Sequence, residues 1–473
     1  MSNSNSNQPD QPDDRDPVDK FFGKVSGMFE KVTQIDPTRK PDDIDKFFRA
    51  VKTGKMEAVK AALESGLNPN VHDKSGDTPL HLCARGNLTA MAELLLAHKA
   101  DPRIGKKDDP KHLPLDDAVN FGKPEMTELL ARHGGYLPGN TIDGWSLLHR
   151  ACEKGKPRLV EALLKAGANG NEPTANGATP LLISVMRSQS EVANILLDYP
   201  GVAEQMNTLF VHTDEKKRNA FQLAVERGQD VIARKMIAKG TRLNTQDGDG
   251  MTPLQHAIRR GDASLVASLV AGGADINRAN GHGTPLHYAA SASELRDEPA
   301  RAKIIDTLVR LGADPDTQDA KTGQTPLMVL AASPDKLPAL QTLLAHPVAQ
   351  DTFDHSGMSA VFHALKNPRA LEMLLAAGAP PDARHMKDAS TPLIAAAKND
   401  DAHTVRRLLD AGANPRLFDA QGKSALSYAR DNIINEYAGA ANAPAIAAMI
   451  EEKFAPEMRA RRKQKPRGGD WEL

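Results

Sequence analysis

Short apolar stripes alternate with polar turns along most of the chain. In residues 249–277, Leu254, Ala257 and Ile258 have the i, i+3, i+4 spacing of one helix face. A second stripe of the same kind consists of Leu265, Val266, Leu269 and Val270. The pattern predicts two short helices, each burying one face against a neighbour.

Local signals set the ends of these two helices. Thr252 is a typical N-cap, and Pro253 follows at the first helical position, where a missing N–H costs nothing. Gly261 permits the tight turn between the helices, and Gly273 can adopt positive φ at the exit. Residues 249–277 therefore predict a helix, a turn and a second helix, followed by a polar hairpin.

This arrangement recurs along the chain. The residues in the place of Thr252 are Asp45, Thr78, Leu113, Ser146, Thr179, Asn219, Thr252, Thr284, Thr325, Ser359, Thr391 and Ser424. Most of the spacings are 32 to 35 residues, and Thr-Pro-Leu is written out six times. A fixed period of this length is typical of repeat proteins, in which each unit stacks on its neighbours.

The repeats resemble the ankyrin repeat family. The segments 76–81 (GDTPLH) and 283–290 (GTPLHYAA) carry the Thr-Pro-Leu-His motif of that family most closely, and the resemblance covers roughly residues 42–430. It implies an all-α solenoid of about 11–12 helix-turn-helix units with hairpin loops. It also implies a protein that binds other proteins through hairpin tips and a concave helical face.

The segments that flank the repeats have different compositions. We expect residues 1–16 to be a disordered N-terminus, because Ser, Asn, Gln, Pro and Asp bury little apolar surface. Residues 17–41 contain an amphipathic helix with Phe21, Phe22 and Phe29 on one face. This helix could cap the array, fold back on it, dock in a partner's groove or lie on a membrane surface. We assign residues 431–455 to a C-terminal capping region and 456–473 to a basic disordered tail.

Three places depart from the regular spacing. Extra residues at 199–218 and at 291–301 should lengthen turns and leave the stack intact. The repeat that starts at Ser359 is short and contains Pro368, so we expect an irregular helix pair there.

Composition narrows the classes of partner. The 60 basic and 61 acidic side chains nearly cancel, so no global charge favours nucleic acid. No apolar run reaches the length of a membrane span, and no secretory signal pattern begins the chain. Only Cys83 and Cys152 occur, both at packing positions of first helices, so no disulfide framework is expected.

Motifs for catalysis, cofactors and metals are absent. The segment 422–424 (GKS) lacks the earlier glycine of a phosphate-binding loop, since position 417 is Leu. The segment 247–250 (DGDG) lacks the acidic twelfth residue of a calcium loop. His81, His149 and His287 share one place in the repeat and are expected to form hydrogen bonds within and between repeats. We therefore predict no enzyme, no cofactor and no metal.

Candidate binding residues are those that the repeat pattern does not prescribe. Trp145, which precedes a cap, could anchor a partner or pack on its own or the next hairpin. The full set of partner-binding candidates is Trp145, Tyr136, Arg150, Met251, Arg259, Arg260 and Met358. Met251 and Met358 would supply apolar contacts. Arg259 and Arg260 would form a basic spot.

The leading functional hypothesis is a monomeric cytoplasmic scaffold or adaptor that binds a protein partner without catalysis. One alternative is a bacterial effector secreted into a host cell, where the same surface would bind a host protein. Another is an enzyme whose chemistry lies in the insertions at 199–218 or 291–301. The basic tail is read either as a solvated terminus or as a signal for localisation, secretion or an anionic partner.

Overall fold

The structure is a computed structural model that describes residues 41–139, 141–142, 144–202, 218–434 and 441–464. In these ranges the chain forms twelve successive helix pairs and one two-stranded β ribbon. The predicted all-α ankyrin-type architecture of about 11–12 helix-turn-helix units is confirmed. The disordered segment predicted for residues 1–16 and the helix predicted within 17–41 lie outside the described residues, except that Pro41 begins the first helix.

The chain divides into two compact units, the first comprising residues 1–224 and 231–241. The helices that begin in this unit are α1 (Pro41–Lys52), α2 (Met56–Glu64), α3 (Pro79–Gly86), α4 (Thr89–Ala97), α5 (Pro114–Asn120), α6 (Pro124–Leu130), α7 (Leu147–Glu153), α8 (Pro157–Lys165), α9 (Pro180–Met186), α10 (Ser190–Asp198) and α11 (Ala220–Glu226). A π-helical turn, Ala131–Gly135, follows α6, and strands β1 (Thr141–Ile142) and β2 (Trp145–Ser146) precede α7. From α1 to α9, each first helix packs on the first helix of the next repeat.

The second compact unit comprises residues 225–230 and 242–473. Helix α12 (Asp230–Ala238) has only its first residue in this unit. The later helices are α13 (Pro253–Arg259), α14 (Ala263–Ala271), α15 (Pro285–Ser291), α16 (Glu298–Arg310), α17 (Pro326–Ala331), α18 (Leu337–Leu344), α19 (Ala360–His363), α20 (Pro368–Ala376), α21 (Pro392–Lys398), α22 (Ala402–Asp410), α23 (Ala425–Ile434) and α24 (Ala443–Gln464). Thin layers of Leu, Ala, Val and Ile form the core between them.

Helix caps follow the sequence signals. Thr252 Oγ1 accepts the Gln255 N–H, and the Gln255 side chain accepts the Thr252 N–H at 3.0 Å. These reciprocal bonds satisfy two backbone donors at the start of α13. Gly273 exits α14 with φ of 102°, a conformation that side-chain-bearing residues rarely adopt.

The insertion at 291–301 is partly helical. It forms a short loop after α15 and then extends the start of α16, which has 13 residues. Arg301 holds the loop in place: its buried guanidinium donates to the carbonyls of Ala289, Ala292 and Leu295 and to the carboxylate of Glu298. The insertion therefore has its own polar core.

Other departures also have local causes. The first helix of the Ser359 repeat has only four residues, and Pro368 is the first residue of the second helix, α20, where proline is tolerated. Helix α24 continues to Gln464, so the tail expected to be disordered from residue 456 is helical up to that point. Its Glu, Met, Arg and Ala residues are good helix formers. Residues 203–217, most of the first insertion, lie outside the described ranges.

Candidate interaction surface

Trp145 lies on the β ribbon that leads into α7. Strands β1 and β2 are antiparallel, with Thr141 opposite Ser146 and Ile142 opposite Trp145. The Trp145 side chain is half-buried, and its ring meets the His149 ring edge-on at a centroid distance of 6.0 Å. The chain therefore presents part of a large aromatic ring while the other part is packed.

His149 gives Trp145 a rigid support. The Ser146 N–H donates to His149 Nδ1 at 3.1 Å, so the ring proton sits on Nε2, which donates to the Glu172 carbonyl at 2.8 Å. Burial lowers the pKa of His149, and the ring is neutral at physiological pH. Two hydrogen bonds thus fix the surface on which the tryptophan rests.

Tyr136 and Arg150 belong to the same compact unit as Trp145, with Tyr136 before strand β1 and Arg150 on helix α7. Both side chains are half-buried. Burial, with a contribution from the Glu172 carboxylate, raises the pKa of Tyr136 to about 12, so its phenol stays neutral. Arg150 follows His149 on α7. The structure therefore places Tyr136 and the Trp145–His149 pair close to one residue, Glu172.

A charge network that the sequence did not reveal lies on the preceding repeats of the same unit. Arg85 pairs with Asp77, and its Nε is 3.6 Å from Asp117 Oδ2. Lys106 Nζ is 3.7 Å from Asp77 Oδ1, and His112 Nε2 is 2.8 Å from Asp117 Oδ1. Asp77 and His112 occupy the same place before the cap as Trp145, so an alignment of the repeats could have suggested a shared surface.

Burial and pairing act against each other on the acids of this network. Burial alone would raise the pKa of Asp117, but the hydrogen bond and charge of His112, with the Lys106 and Arg85 charges, lower it below its usual range. Burial raises the pKa of the adjacent Asp116 to about 6, although the Leu113 N–H and the His112 and Arg150 charges oppose that shift. The network holds its charges internally and leaves Arg85 and Lys106 partly exposed.

In the second compact unit, two expectations need correction. Met251 is 5% exposed and packs beside Arg259, with Sδ 3.9 Å from Nη1, so it presents almost no apolar area to a partner. Arg259 donates to Glu226 at 2.9 Å, and Arg260 donates to Asp230 at 2.9 Å. The basic spot expected from these two arginines is neutralised by acids of the same chain.

Arg259 also completes a buried polar chain. His256 Nε2 is 2.8 Å from Asp247 Oδ2, and Arg259 Nη2 is 3.1 Å from His256 Nδ1. Because an arginine can only donate, Nδ1 accepts and Nε2 carries the proton given to Asp247. The chain ties the hairpin to α13, and burial lowers the pKa of His256.

Met358 lies on a different hairpin, three repeats further along the chain than Met251, and its side chain is half-buried. On the two hairpins that follow, sequence reasoning missed Met386, which is 71% exposed, and Phe418, which is 54% exposed. The sequence indicates an exposed position for Phe418, because the residue just before the turn aspartate is polar in several other repeats, as at Gln246 and Gln318.

Neither a metal-binding cluster nor a membrane-spanning helix occurs in the described ranges. No group of three or more His, Cys, Asp and Glu side chains in these ranges is placed to hold a metal ion. Over the same residues, every helix falls short of the length and apolarity needed to span a bilayer.

The fold and these surfaces define a helical repeat protein whose variable side chains lie on hairpins and first helices. The ankyrin repeat family model, which describes three copies of the repeat, matches residues 47–138, 115–209, 221–319, 298–385 and 367–438. The chain belongs to the ankyrin repeat family. Ankyrin repeats are protein-interaction modules, and this chain carries them over most of its length.

Relatives share the repeats over part of the chain. A segment of 179 residues is 30% identical to SH3 and multiple ankyrin repeat domains protein 2 of Homo sapiens, covering 38% of this chain and 9% of that protein. Another of 194 residues is 27% identical to the B-cell lymphoma 3 protein homolog of Mus musculus, covering 38% and 43%. The crystal structure of the human ASB11 ankyrin repeat domain is 28% identical, with a TM-score of 0.38, and covers 50% of this chain and 99% of that one. The chain thus spans less than half the length of these two curated relatives.

Proposed function

We propose that this protein is a non-catalytic scaffold or adaptor that binds one protein partner through the hairpins and first helices around Trp145. The observation that carries the proposal is the half-buried Trp145 ring, held edge-on against a hydrogen-bonded histidine. A large aromatic side chain fixed in this way loses little conformational freedom on binding, which is typical of a binding hot spot.

The surroundings of Trp145 support a protein partner. Tyr136 adds a neutral phenol, and Arg150 adds a half-buried arginine side chain on α7. Aromatic residues and arginine are enriched at the centres of protein interfaces. Met358, on a hairpin of the second compact unit, stays a separate candidate contact. We leave the buried Met251 and the paired Arg259 and Arg260 out of the set.

Cellular context is part of the same proposal. We expect the protein to work in a reducing compartment, the cytoplasm, because Cys83 and Cys152 are free, buried thiols whose pKa values burial raises. We also expect it to be a monomer. The formal net charge of −1 disfavours a nucleic-acid partner. Secretion into a host cell, the alternative use of the same surface, would also end in a reducing cytoplasm.

The test compares Trp145→Ala with Phe121→Ala, a control aromatic in the same compact unit that is 56% exposed. Affinity capture with the intact chain identifies the partner, and titration calorimetry measures its affinity for each purified variant. We expect Trp145→Ala to cost about 2 kcal/mol or more, roughly a thirtyfold loss, and Phe121→Ala to change little. Unchanged affinity in Trp145→Ala, with both variants folded, would refute the proposed hot spot.

A further inference from the structure

Four successive turns in the second compact unit are joined through their backbones. The His355 N–H donates to the Thr322 carbonyl at 3.0 Å, the Met386 N–H to the Gly357 carbonyl at 3.1 Å, and the Ala420 N–H to the Asp388 carbonyl at 2.8 Å. We call the turns 319–324, 354–358, 385–390 and 419–423, together with Arg384 and Phe418 that flank them, the hairpin edge. Because each turn is bonded to the next, their side chains keep a fixed spacing.

Two large apolar side chains stand out in water on this edge. Met386 is 71% exposed and Phe418 is 54% exposed. They lie on consecutive hairpins, which a hydrogen bond of 3.4 Å from the Arg384 side chain to the Phe418 carbonyl links. Fully burying such a side chain is worth about 1.5–3 kcal/mol, a gain that folding of this chain leaves unused. Two such side chains on consecutive hairpins are a candidate interaction site.

The acidic and basic side chains of the edge differ in how far they are exposed to solvent. The turn carboxylates of Asp354 and Asp419 are turned inward: Asp354 accepts the Met358 N–H and the His363 ring, and Asp419 accepts the Lys423 N–H and the Tyr428 hydroxyl.

The exposed charged residues on the edge are Lys321, Arg384, Lys387 and Asp388. Lys423, whose side chain is 45% exposed, is paired with Asp431. Lys387 makes no ion pair with any residue that the structure describes. Three cations to one carboxylate leave the outer surface of the edge basic.

We propose that the hairpin edge binds an acidic polypeptide segment that carries bulky apolar side chains. The inference rests on the proposed protein-binding function and adds a second surface with a defined partner chemistry. Acidic side chains of the segment pair with Arg384 and Lys387, and its apolar side chains cover Met386 and Phe418. Turns of stacked repeats are about one helix diameter apart, about 10 Å, so three of them span about 20 Å, the length of an extended segment of roughly six residues.

The exposed Asp388 carboxylate distinguishes a polypeptide from other anions. It lies beside Lys387 and 2.6 Å from the His385 ring, and its side chain is 55% exposed. A uniformly anionic surface, such as a lipid bilayer or a nucleic-acid backbone, would meet this carboxylate with repulsion. A polypeptide can place a backbone N–H there and a carboxylate opposite Lys387.

The experiment uses the full chain and measures binding by fluorescence anisotropy. The probes are a labelled peptide of Asp, Glu, Leu and Phe, the same peptide with Lys in place of every acid, vesicles containing phosphatidylserine, and oligodeoxythymidine. We expect binding of the acidic peptide only, weakening as salt is added. Met386→Ser with Phe418→Ser should lower the affinity at least about tenfold, and Lys387→Glu should reduce both the affinity and its salt dependence.

Phe121→Ser is the matched control, because it removes an exposed aromatic from the first compact unit. Equal binding of the two peptides, or full binding of the acidic peptide by the double variant, would overturn the inference. Binding of the vesicles or the oligonucleotide in place of the acidic peptide would overturn it as well. If the double variant binds the acidic peptide normally while Trp145→Ala still loses the captured partner, the edge proposal fails and the proposed function stands. If no form captures a protein but the edge variants lose peptide binding, the Trp145 proposal fails instead.

Discussion

Replacing Arg301 with Met should destabilise the second compact unit by about 3–5 kcal/mol. Arg301 is 2% exposed, and its guanidinium donates at 2.6 Å to the Ala289 carbonyl, at 2.8 Å to the Ala292 carbonyl and at 2.8 Å to the Glu298 carboxylate. It also donates to the Leu295 carbonyl. One cation therefore closes the end of α15, the loop after it and the first turn of α16.

The magnitude follows from what the substitution leaves behind. Four charge-assisted hydrogen bonds at about 1.5–3 kcal/mol each would give roughly 6–12 kcal/mol, an upper limit because burying the cation has its own cost. Met fills most of the volume of the arginine side chain, but it leaves three carbonyls and the Glu298 carboxylate without their hydrogen-bond donor. The net loss should match that of breaking a buried ion pair, about 3–5 kcal/mol.

Urea unfolding followed by circular dichroism measures the loss. Repeat arrays can unfold in parts, so hydrogen exchange of α15 and α16 supplies the local readout. Arg310→Met is the control on the same helix: its side chain is 72% exposed, and its pair with Asp306 should contribute less than about 0.5 kcal/mol. Adding Glu298→Gln to Arg301→Met should recover part of the loss, since it removes the stranded charge.

A loss below about 1 kcal/mol for Arg301→Met would refute this reasoning, because buried acceptors would then tolerate the absence of their donor. Equal destabilisation by Arg310→Met would refute it as well, since an exposed ion pair would then matter as much as the buried one. Faster exchange confined to helices other than α15 and α16 would show that Arg301 does not hold the insertion.

Two further predictions concern a histidine and a turn. Burial lowers the pKa of His81 from 6.5 to about 4. Between pH 6.5 and 4 the folded chain therefore binds fewer protons than the unfolded chain. Stability is lost as the pH falls through this range, by up to ~3 kcal/mol. His81→Gln introduces the residue type that Gln255 supplies at the same place in its repeat. It should remove that part of the acid sensitivity, measured by urea titrations at pH 7 and 4.5. An unchanged pH dependence of stability would show that His81 is not its source. Ala389 has φ of 56°, where glycine is preferred. Ala389→Gly should therefore raise the free energy of unfolding by about 0.5–1 kcal/mol, whereas Ala420→Gly in the next turn should not. Equal effects of the two substitutions would rule out backbone strain as the cause.

The helices could be predicted because their signals are local. Thr252, Pro253 and Gln255 are within four residues of one another, and their capping bonds form wherever the chain enters a helix. The same holds for Gly273, whose φ of 102° is a requirement of the helix exit. The insertion at 291–301 was harder, because the bonds of Arg301 run to carbonyls 6, 9 and 12 residues away.

The candidate surface was less predictable, since exposure depends on distant partners. Arg260 is neutralised by Asp230, 30 residues earlier, and Arg259 by Glu226, 33 residues earlier. Nothing within one repeat distinguishes these arginines from exposed ones. Met386 and Phe418 are exposed because their hairpins place them outside the packed layers, which is a property of the turn.

The sequence by itself determined the repeat, its period, its caps and its family, because each of these depends on residue type and spacing within a single unit. The tertiary structure decided which unprescribed side chains remain available. It buried Met251, paired Arg259 and Arg260, set Trp145 on His149 and left Met386 and Phe418 in water. Those outcomes depend on contacts between neighbouring repeats, and a periodic sequence does not record which side chains meet there.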